Sequence, residues 1–349
     1  MEEIITLDYG GGGQKTSELI EAMLLPALDN PALQQLSDGA VLAGPVHGGV
    51  SETDGSAGPN GSSPIVFSTD SFVVSPWRFP GGDIGKLCVC GTVNDLSMMG
   101  AVPKYLSLSL ILEEGFYIRD LKEIIASVAR EANAAGVHIV TGDTKVVEHG
   151  KGDGIYINTS GIGFLKNPMP GKAGITEGDA VIVSGSIGCH GACVMMARTG
   201  IINGDALFSD CQPLTAHALA AAASGRVRIM RDPTRGGLAT TLNEFTEGTG
   251  LCIEVDEDTI PIDPAVAAAC DLLGFDPLYC ACEGRMLAVT APEDAEAIVS
   301  ALRRLPGSKN ASVIGTVTRR RPGHVLLKTT LGGHRLLGKL SGQQLPRIC

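Results

Sequence analysis

The sequence predicts a mixed α/β protein, of the α+β type, with two domains followed by a mobile tail. Its 349 residues are enough to bury two hydrophobic cores. Apolar β-branched segments alternate with amphipathic segments, and a stretch rich in Pro and Gly, residues 166–179, interrupts this alternation near the middle. We therefore expect an N-terminal domain over residues 1–170, a C-terminal α/β domain over 171–340 and a tail over 341–349.

The elements of both domains follow from their residue patterns. The clearest helix is predicted over residues 120–136, where apolar residues share one face, Asp120 is a candidate cap and Gly136 ends the helix. The strand after it is expected to break at Gly142–Asp143. Further strands are predicted at residues 63–74, 153–165, 180–185, 227–232, 252–256, 286–291 and 312–317, with a helix at 292–305.

Residues 44–64 differ from their surroundings in composition. They are rich in Gly, Ser and Pro and nearly free of large apolar side chains. Such a segment buries too little apolar surface to offset the entropy lost on ordering. We expect a mobile insertion between two strands.

Composition and charge exclude several classes of function. The net charge of −11 argues against a nucleic-acid-binding protein, which needs a basic face. The start does not resemble a signal peptide and no apolar run reaches membrane-spanning length, so we expect a cytoplasmic protein. The ten cysteines are best interpreted as reduced thiols, and without a C-x-x-C pair a structural zinc site is not expected.

Two glycine-rich stretches suggest phosphate binding. In YGGGGQKTSEL (9–19), Gln14 separates the glycines from Lys15, so the P-loop pattern is not met. Lys15 either lies against the phosphates of a nucleotide or belongs to an ordinary flexible segment. In FPGGDIGK (79–86), Asp83 either binds the nucleotide or caps the following helix.

Four aspartates of the first half lie where apolar segments break: Asp38, Asp70, Asp95 and Asp143. A single aspartate in a turn is commonly structural. Four of them beside glycine-rich turns favour a joint site, because hard oxygen ligands suit Mg²⁺ ions that bridge the phosphates of a nucleotide.

Three motifs of the second half allow both a functional and a structural interpretation. RDPTRGG (231–237) places Asp232 and Arg235 after a strand, at a phosphate site or in a plain turn. Glu283 in CACEGRM lies at a glycine turn, where an isolated glutamate is usually solvated. His190 in GCHGAC is typical of the start of a helix.

The chain ends on a cysteine, Cys349. A side chain with no backbone after it makes a poor structural crosslink but suits a group that must move. Seven extended residues from Gly342 would span roughly 25 Å, and a thiolate is a nucleophile that can accept a transferred group. A terminal cysteine alone is often incidental, so its interpretation depends on the whole LPRIC ending.

With these segments in place, the chain resembles the HypE family of hydrogenase-maturation factors almost end to end. The resemblance rests on STDSFVVSPWRFPGGDIGKLCVCGTVNDLSMMGA, IVTGDTKVVEHGKGDGIYINTSGIG, RDPTRGGLATTLNEF, LLGFDPLYCACEGRML and the terminal LPRIC. The wider superfamily includes aminoimidazole ribonucleotide synthetase and selenophosphate synthetase. The resemblance therefore implies a two-domain PurM-like architecture, with an N-terminal domain that binds ATP and dimerises.

The family also implies a reaction and partners. The carbamoyltransferase HypF would place a carbamoyl group on Cys349, ATP and Mg²⁺ would serve its dehydration to S-cyanide, and the HypC–HypD complex would receive the cyanide for a nickel–iron hydrogenase. The matching motifs suggest Glu283 and Lys145 as bases. They suggest nucleotide binding by Lys15, Asp38, Asp70, Asp83, Asp95, Asp143 and Asp232, with Asp38, Asp70, Asp95 and Asp143 as the Mg²⁺ ligands.

The chain departs from the family pattern at three places. The insertion is longer than usual, Cys189 stands where the family generally has Asp, and Ala281-Cys282 precedes Glu283 where Asn is commoner before it. Two rival functions remain at this stage. One is a nucleotide-binding scaffold whose tail docks partners, and the other is a different ATP-dependent synthetase of the superfamily, which would not need LPRIC.

Overall fold

The computed structural model describes residues 13–28, 30–42, 64–200, 207–340 and 347–349. Residues 44–63 of the predicted insertion and 341–346 of the predicted tail lie outside this part of the chain. The strands of the first half are β1 (Ala40–Leu42), β2 (Ile65–Phe72), β3 (Arg78–Phe79), β4 (Gly82–Asp83), β5 (Ala101–Glu113), β6 (His138–Val147) and β7 (Ile155–Leu165). Those of the second half are β8 (Ala180–Val183), β9 (Val227–Arg231), β10 (Cys252–Asp256), β11 (Leu287–Thr290), β12 (Ser312–Thr318), β13 (Val325–Lys328) and β14 (His334–Leu336).

The helices fall into two groups along the chain. Those of the first half are α1 (Gln14–Leu19), α2 (Leu25–Leu28), α3 (Ile84–Met98) and α4 (Ile118–Ala135). Those of the second half are α5 (Cys189–Thr199), α6 (Thr215–Ser224), α7 (Gly237–Thr246), α8 (Pro264–Leu273) and α9 (Ala295–Leu302). Among the described residues, none of these helices has the length and hydrophobicity needed to cross a bilayer.

The first sheet has the strand order β1-β2-β7-β5-β6 and is antiparallel except for the β5–β6 pair. Helices α3 and α4 cover one face, which we call the inner face. Strand β2 shows the expected alternation, because Val66, Ser68 and Phe72 are buried against α3 while Phe67 is exposed on the opposite, outer face. The inner face thus carries the core, and the outer face is left open.

Two local expectations for this half were wrong. Helix α4 begins at Ile118 without a side-chain cap, so Asp120 lies in its first turn, whereas Gly136 does end it with a φ of 69°. Strand β6 does not break at Gly142–Asp143 but continues to Val147. A Cβ on Gly142 would lie 2.2 Å from the Leu108 carbonyl oxygen, so this glycine permits the close approach of β5.

The second sheet has the order β14-β13-β10-β12-β8-β11-β9, antiparallel except for β10–β13. Helix α7 packs on one face and helices α6 and α9 pack on the other, so β8 is buried throughout. Helices α5 and α8 pack instead into the core of the first half. The first sheet takes its strands from residues 40–165 and the second from 180–336; the predicted boundary near residue 170 falls between them.

Candidate active site between the two sheets

Three carboxylates meet where the two halves of the chain join. Asp38 precedes β1, Asp95 lies near the end of α3, and Asp232 follows β9. Oxygen atoms of the three lie within 4.8 Å of one another. The hydroxyl of Ser68 lies 2.6 Å from an Asp95 carboxylate oxygen and 2.9 Å from the Asp38 carbonyl oxygen. We call Asp38, Asp95 and Asp232 the acidic triad.

The acidic triad has the properties of a cation site. Burial raises the pKa of all three carboxyls, and for Asp95 the neighbouring charges of Asp232 and Asp38 raise it further. The pKa of Asp232 is raised to about 8, and its Oδ2 atom has no hydrogen-bond partner among the described residues. Converging hard oxygen ligands with an unpartnered buried oxygen fit Mg²⁺, whose charge would offset the repulsion among them.

Arg231 holds one side of the triad. Its guanidinium lies 2.7 Å from an Asp38 oxygen and 2.9 Å from a Glu244 oxygen. A cavity of about 450 Å³ opens beside this pair. Its other walls are mainly apolar and include Met98, Met99, Leu165, Met169 and Ile229.

Asp70 lies beside the triad on the inner face of β2. Burial raises the pKa of the Asp70 carboxyl, and the Arg235 guanidinium, 4.0 Å away, opposes that rise. Arg235 belongs to the turn between β9 and α7, which uses two glycines with positive φ, Gly236 and Gly237. Asp70 and Arg235 therefore form a second pair of charges next to the triad.

Glu283 is buried, and its Oε1 atom has no hydrogen-bond partner within the described part of the chain. Burial, together with the nearby Cys211 and Asp232, raises the pKa of its carboxyl well above the ordinary value. Its backbone N–H donates to Asp210 Oδ1 at 3.3 Å, and its carbonyl accepts from Asn94 Nδ2 at 3.2 Å. A carboxyl with a raised pKa in a closed site suits proton transfer near neutral pH.

The last three residues dock at this site. The backbone N–H of Val73 donates to a Cys349 terminal oxygen at 3.0 Å, and that of Ser75 donates to the Arg347 carbonyl at 3.1 Å. His190 and Arg198 contact the carbonyls of Ile348 and Arg347. We call Val73, Ser75, His190 and Arg198 the tail groove.

Docking buries the terminal thiol among charged groups. Cys349 is 8% exposed. Burial raises the pKa of its thiol to about 12; the Arg235 guanidinium opposes this rise, while Glu283 and Asp70 add to it. The docked thiol is therefore protonated at neutral pH and poorly nucleophilic.

The remaining predicted site residues lie elsewhere. Asp83 caps α3 by accepting a hydrogen bond from the Lys86 N–H at 2.9 Å. Asp143 and Lys145 form an exposed ion pair of 2.7 Å on β6, the edge strand. Lys15 occupies an exposed position on α1. Their roles in nucleotide binding or proton transfer stay predictions.

Strand register separates Asp143 from Asp70. Asp143 is paired with Ser109 of β5, and Ser109 is paired with Asn158 of β7; all three lie on the outer face. Asp70 is paired with Thr159, on the inner face. Two strands lie between β2 and β6, so their backbones are roughly 14 Å apart. One chain therefore does not bring Asp143 to the acidic triad.

Three residues that contact the triad or the docked tail could not be identified as functional from the sequence. Arg231 was not singled out, and Arg198 lies in an ordinary helical segment. His190 was interpreted as a helix-start residue, which it is, since α5 begins at Cys189. Only the fold shows that its ring faces the tail, and GCHGAC gives no local signal of this contact.

Comparisons with known proteins cover the whole chain. Residues 38–165 match the N-terminal domain, and residues 176–328 the C-terminal domain, of the AIR synthase related proteins. The chain is 45% identical over 349 residues to carbamoyl dehydratase HypE of Cupriavidus necator, with 99% of this chain and 95% of that protein covered.

Two solved structures share the fold. HypE in complex with ATP has a TM-score of 0.79 and 42% identity, with 99% of this chain and all of that chain, 100%, covered. HypE from the HypE–HypF complex has a TM-score of 0.83 and 40% identity, covering 92% of this chain and 99% of that chain.

Proposed function

The chain belongs to the HypE family of AIR synthase related proteins, and from that premise we propose that it dehydrates an S-carbamoyl group on Cys349 to S-cyanide with ATP during hydrogenase maturation. The observation that carries the proposal is the docked terminal thiol. It lies within electrostatic reach of Arg235, Glu283 and Asp70, beside the acidic triad. A carrier thiol, a buried carboxyl and a cation site thus meet at one point.

We propose ATP and Mg²⁺ as the cofactors of this site. The triad would hold Mg²⁺, whose charge would offset that of the phosphates. Arg235 and Arg231 add positive charge on either side. The apolar cavity beside Asp38 has the size and lining of a small-molecule site, and we assign the adenine ring to it.

The chemistry follows from the weakness of an amide-like oxygen as a leaving group. The carbamoyl oxygen attacks the γ-phosphorus of ATP and ADP leaves. Both protons are then lost from the carbamoyl nitrogen, the C–O bond breaks, and phosphate departs from S–C≡N. Glu283 would accept a proton in this step, because a raised pKa makes its carboxylate a stronger base than an ordinary one.

A second copy of the chain would complete the site. The outer face of the first sheet exposes large apolar side chains, which favours burial against another protein. Asp143 and Lys145 lie on that same face, away from the triad of their own chain. We propose a homodimer through the outer faces, in which Asp143 and Lys145 serve the site of the partner copy. The exposed apolar residues of this face include Phe67, Tyr105 and Ile111.

The loading step would take place with the tail undocked. A docked thiol is buried and protonated, so a second enzyme neither reaches it nor finds a good nucleophile. The structural relative in complex with HypF supports HypF as the loading enzyme. We further propose that the HypC–HypD complex receives the cyanide from an undocked tail.

The function is tested by the mass of the C-terminal peptide after incubation with HypF, carbamoyl phosphate and ATP. The parent should gain a carbamoyl group and then lose one water, and Cys349→Ala should gain neither. Cys349→Ala should still be stabilised by ATP, since the altered side chain lies outside the triad. An S-cyano mass on another cysteine would refute the carrier role. ATP binding without any mass change on Cys349 would favour the scaffold.

A further inference from the structure

The docked tail is held by a histidine that the proposed chemistry does not use. His190 is completely buried at the start of α5. Its ring packs edge-on against Phe79, with centroids 5.2 Å apart and an angle of 87° between the planes. Its Nε2 atom lies 2.6 Å from the Ile348 carbonyl oxygen, and its Nδ1 atom lies 2.8 Å from Ser209 Oγ. Both ring nitrogens are therefore occupied, and the ring is fixed.

These contacts determine the tautomer of His190. A carbonyl oxygen only accepts hydrogen bonds, so Nε2 must carry the hydrogen and donate it to Ile348. The Nδ1 atom of the neutral ring then accepts from the Ser209 hydroxyl. Burial lowers the pKa of the imidazole, in agreement with a neutral ring. Ser209 thereby satisfies the Nδ1 atom of the tautomer that binds the tail and fixes the orientation of the ring.

Ser209 also belongs to the segment that supports Glu283. Its Oγ atom accepts from the Cys211 N–H at 3.1 Å. The neighbouring Asp210 accepts from the Glu283 N–H at 3.3 Å, and the Gln212 N–H donates to the Glu283 carbonyl at 3.4 Å. One chain of hydrogen bonds and peptide units thus runs from the tail through His190 to Glu283.

Arg198 supports the same docked conformation from the next turns of α5. Its guanidinium donates to the Arg347 carbonyl at 2.8 Å and to the Ser75 carbonyl at 2.8 Å. It therefore joins the tail to the backbone of Ser75. His190 touches both the tail, at Ile348, and Ser209 of the segment that supports Glu283.

We propose that His190 is a positioning residue, which holds the tail in the docked conformation through Ile348 and links docking to the support of Glu283 through Ser209. We call the hydrogen bond from His190 to the Ile348 carbonyl the clamp. The clamp does not depend on the reaction. Its effect on dehydration rests on the proposed function, so the two are tested by separate measurements.

The clamp is tested by the rate at which iodoacetamide modifies Cys349 in the full chain, without nucleotide or partner. A docked thiol is shielded, so this rate reports the undocked fraction. Cleavage after Glu296 gives a peptide whose sole cysteine is Cys349, which makes its mass unambiguous. His190→Phe keeps a ring of similar size and removes the donor, and we expect Cys349 to be modified about tenfold faster, as for the loss of one buried hydrogen bond.

His217→Phe is the matched control. His217 is also buried at the start of a helix, but its Nε2 atom lies 3.2 Å from the Pro306 carbonyl instead of the tail. In His217→Phe, iodoacetamide should modify Cys349 at the same rate as in the parent. A folded His190→Phe protein with the parental rate would overturn the clamp. If His190→Phe does not fold, Ser209→Ala decides. We expect Cys349 to be modified about threefold faster in this variant, because His190 Nδ1 loses its partner and the ring is no longer fixed. The parental rate would overturn the proposal.

The effect on the reaction is measured in a single turnover of protein carbamoylated beforehand. We expect His190→Phe to accept the carbamoyl group at the parental rate or faster and to form the cyano product about tenfold more slowly. His190→Gln, which carries an N–H at similar reach, should recover part of that loss. Parental dehydration in His190→Phe would overturn the positioning role. If the parent forms no cyano product, the proposed function fails, while the iodoacetamide rates still decide the clamp.

Discussion

The tail groove and the acidic triad adjoin each other, yet their polar groups differ in whether they have hydrogen-bond partners. In the tail groove, the N–H groups of Val73 and Ser75 and the ring of His190 all bind tail oxygens. In the triad, by contrast, burial and like charge raise the pKa of each carboxyl, and Asp232 Oδ2 lacks a partner among the described residues. The groove is completed by the chain itself, whereas we propose that a cation completes the triad.

This difference suggests separate roles: the tail groove holds the tail, and the charged groups near the sulfur take part in the chemistry. Hydrogen bonds from the tail groove to backbone oxygens hold the tail whether its thiol is free or loaded, because they do not involve the sulfur. The charged groups around the sulfur, Asp70, Arg235 and Glu283, respond instead to what the thiol carries. Docking and chemistry can therefore be altered separately by mutation.

The largest expected effect is on the chemical step alone. Glu283→Gln keeps the size of the side chain and removes the base, so single-turnover dehydration should slow by about 10²–10⁴-fold. Loading by HypF and modification of Cys349 by iodoacetamide should stay near parental, since the tail groove is untouched. The carbamoylated peptide should accumulate. Near-parental dehydration would remove Glu283 from the mechanism.

The second prediction concerns where the metal ligands come from. Asp95→Asn and Asp143→Asn should each reduce the rise in melting temperature caused by Mg-ATP, because a weaker ligand stabilises the native state less. If Asp95 and Asp143 meet across two copies, mixing the two variants should restore roughly a quarter of the sites by random assortment. Each variant alone should restore none.

Mixing thus tests the dimer as well as the ligands. If Asp143 served the triad of its own chain, every site in the mixture would lack one of the two aspartates. Mixing would then restore none of the stabilisation by Mg-ATP. Equal stabilisation of the parent and both variants by Mg-ATP would contradict the metal assignment itself.

The third prediction uses the raised pKa values of the triad. A carboxyl whose folded pKa is raised stabilises the fold below the unfolded pKa, near 4, and loses this contribution as pH rises through about 8 for Asp232. Protons also compete with the cation. Mg²⁺ should therefore stabilise the protein by about 1 kcal/mol more at pH near 8 than at pH near 6.

The measurement is the melting temperature with and without Mg²⁺ at these two pH values. Asp232→Asn should reduce both the pH dependence and the Mg²⁺ effect. A stabilisation by Mg²⁺ that is independent of pH in the parent would show that the triad does not bind the ion.

The sequence predicted the helices and strands better than it predicted which of their residues lie together in the fold. The ends of apolar segments single out Asp38, Asp70 and Asp95, and the fold brings them together with Asp232 of the RDPTRGG motif, for which the sequence leaves a phosphate site and a plain turn open. The sequence groups Asp143 with them because Gly142 predicts the end of a strand. That glycine instead permits close strand approach, and the register then directs Asp143 to the outer face.

The tail groove could not be predicted from local patterns. Its contacts join residues distant in sequence, such as His190 with Ile348 and Val73 with Cys349. A helix-start histidine and a strand-end valine look ordinary in any window of the sequence. What identifies them is the return of the chain end to the first sheet, which depends on the packing of both halves.

The smallest expected effect is at Asp83, where cap and nucleotide roles can be separated. The carboxylate accepts from the Lys86 N–H at the start of α3, the helix that carries Asp95. Asp83→Ala should lower the free energy of unfolding by about 1 kcal/mol through loss of the cap, and Asp83→Asn should recover most of it. Denaturant unfolding measures this difference. Stabilisation by Mg-ATP should be near parental in Asp83→Asn if the cap is the main role; a selective loss there, with the cap intact, would establish that the carboxylate itself contacts the nucleotide.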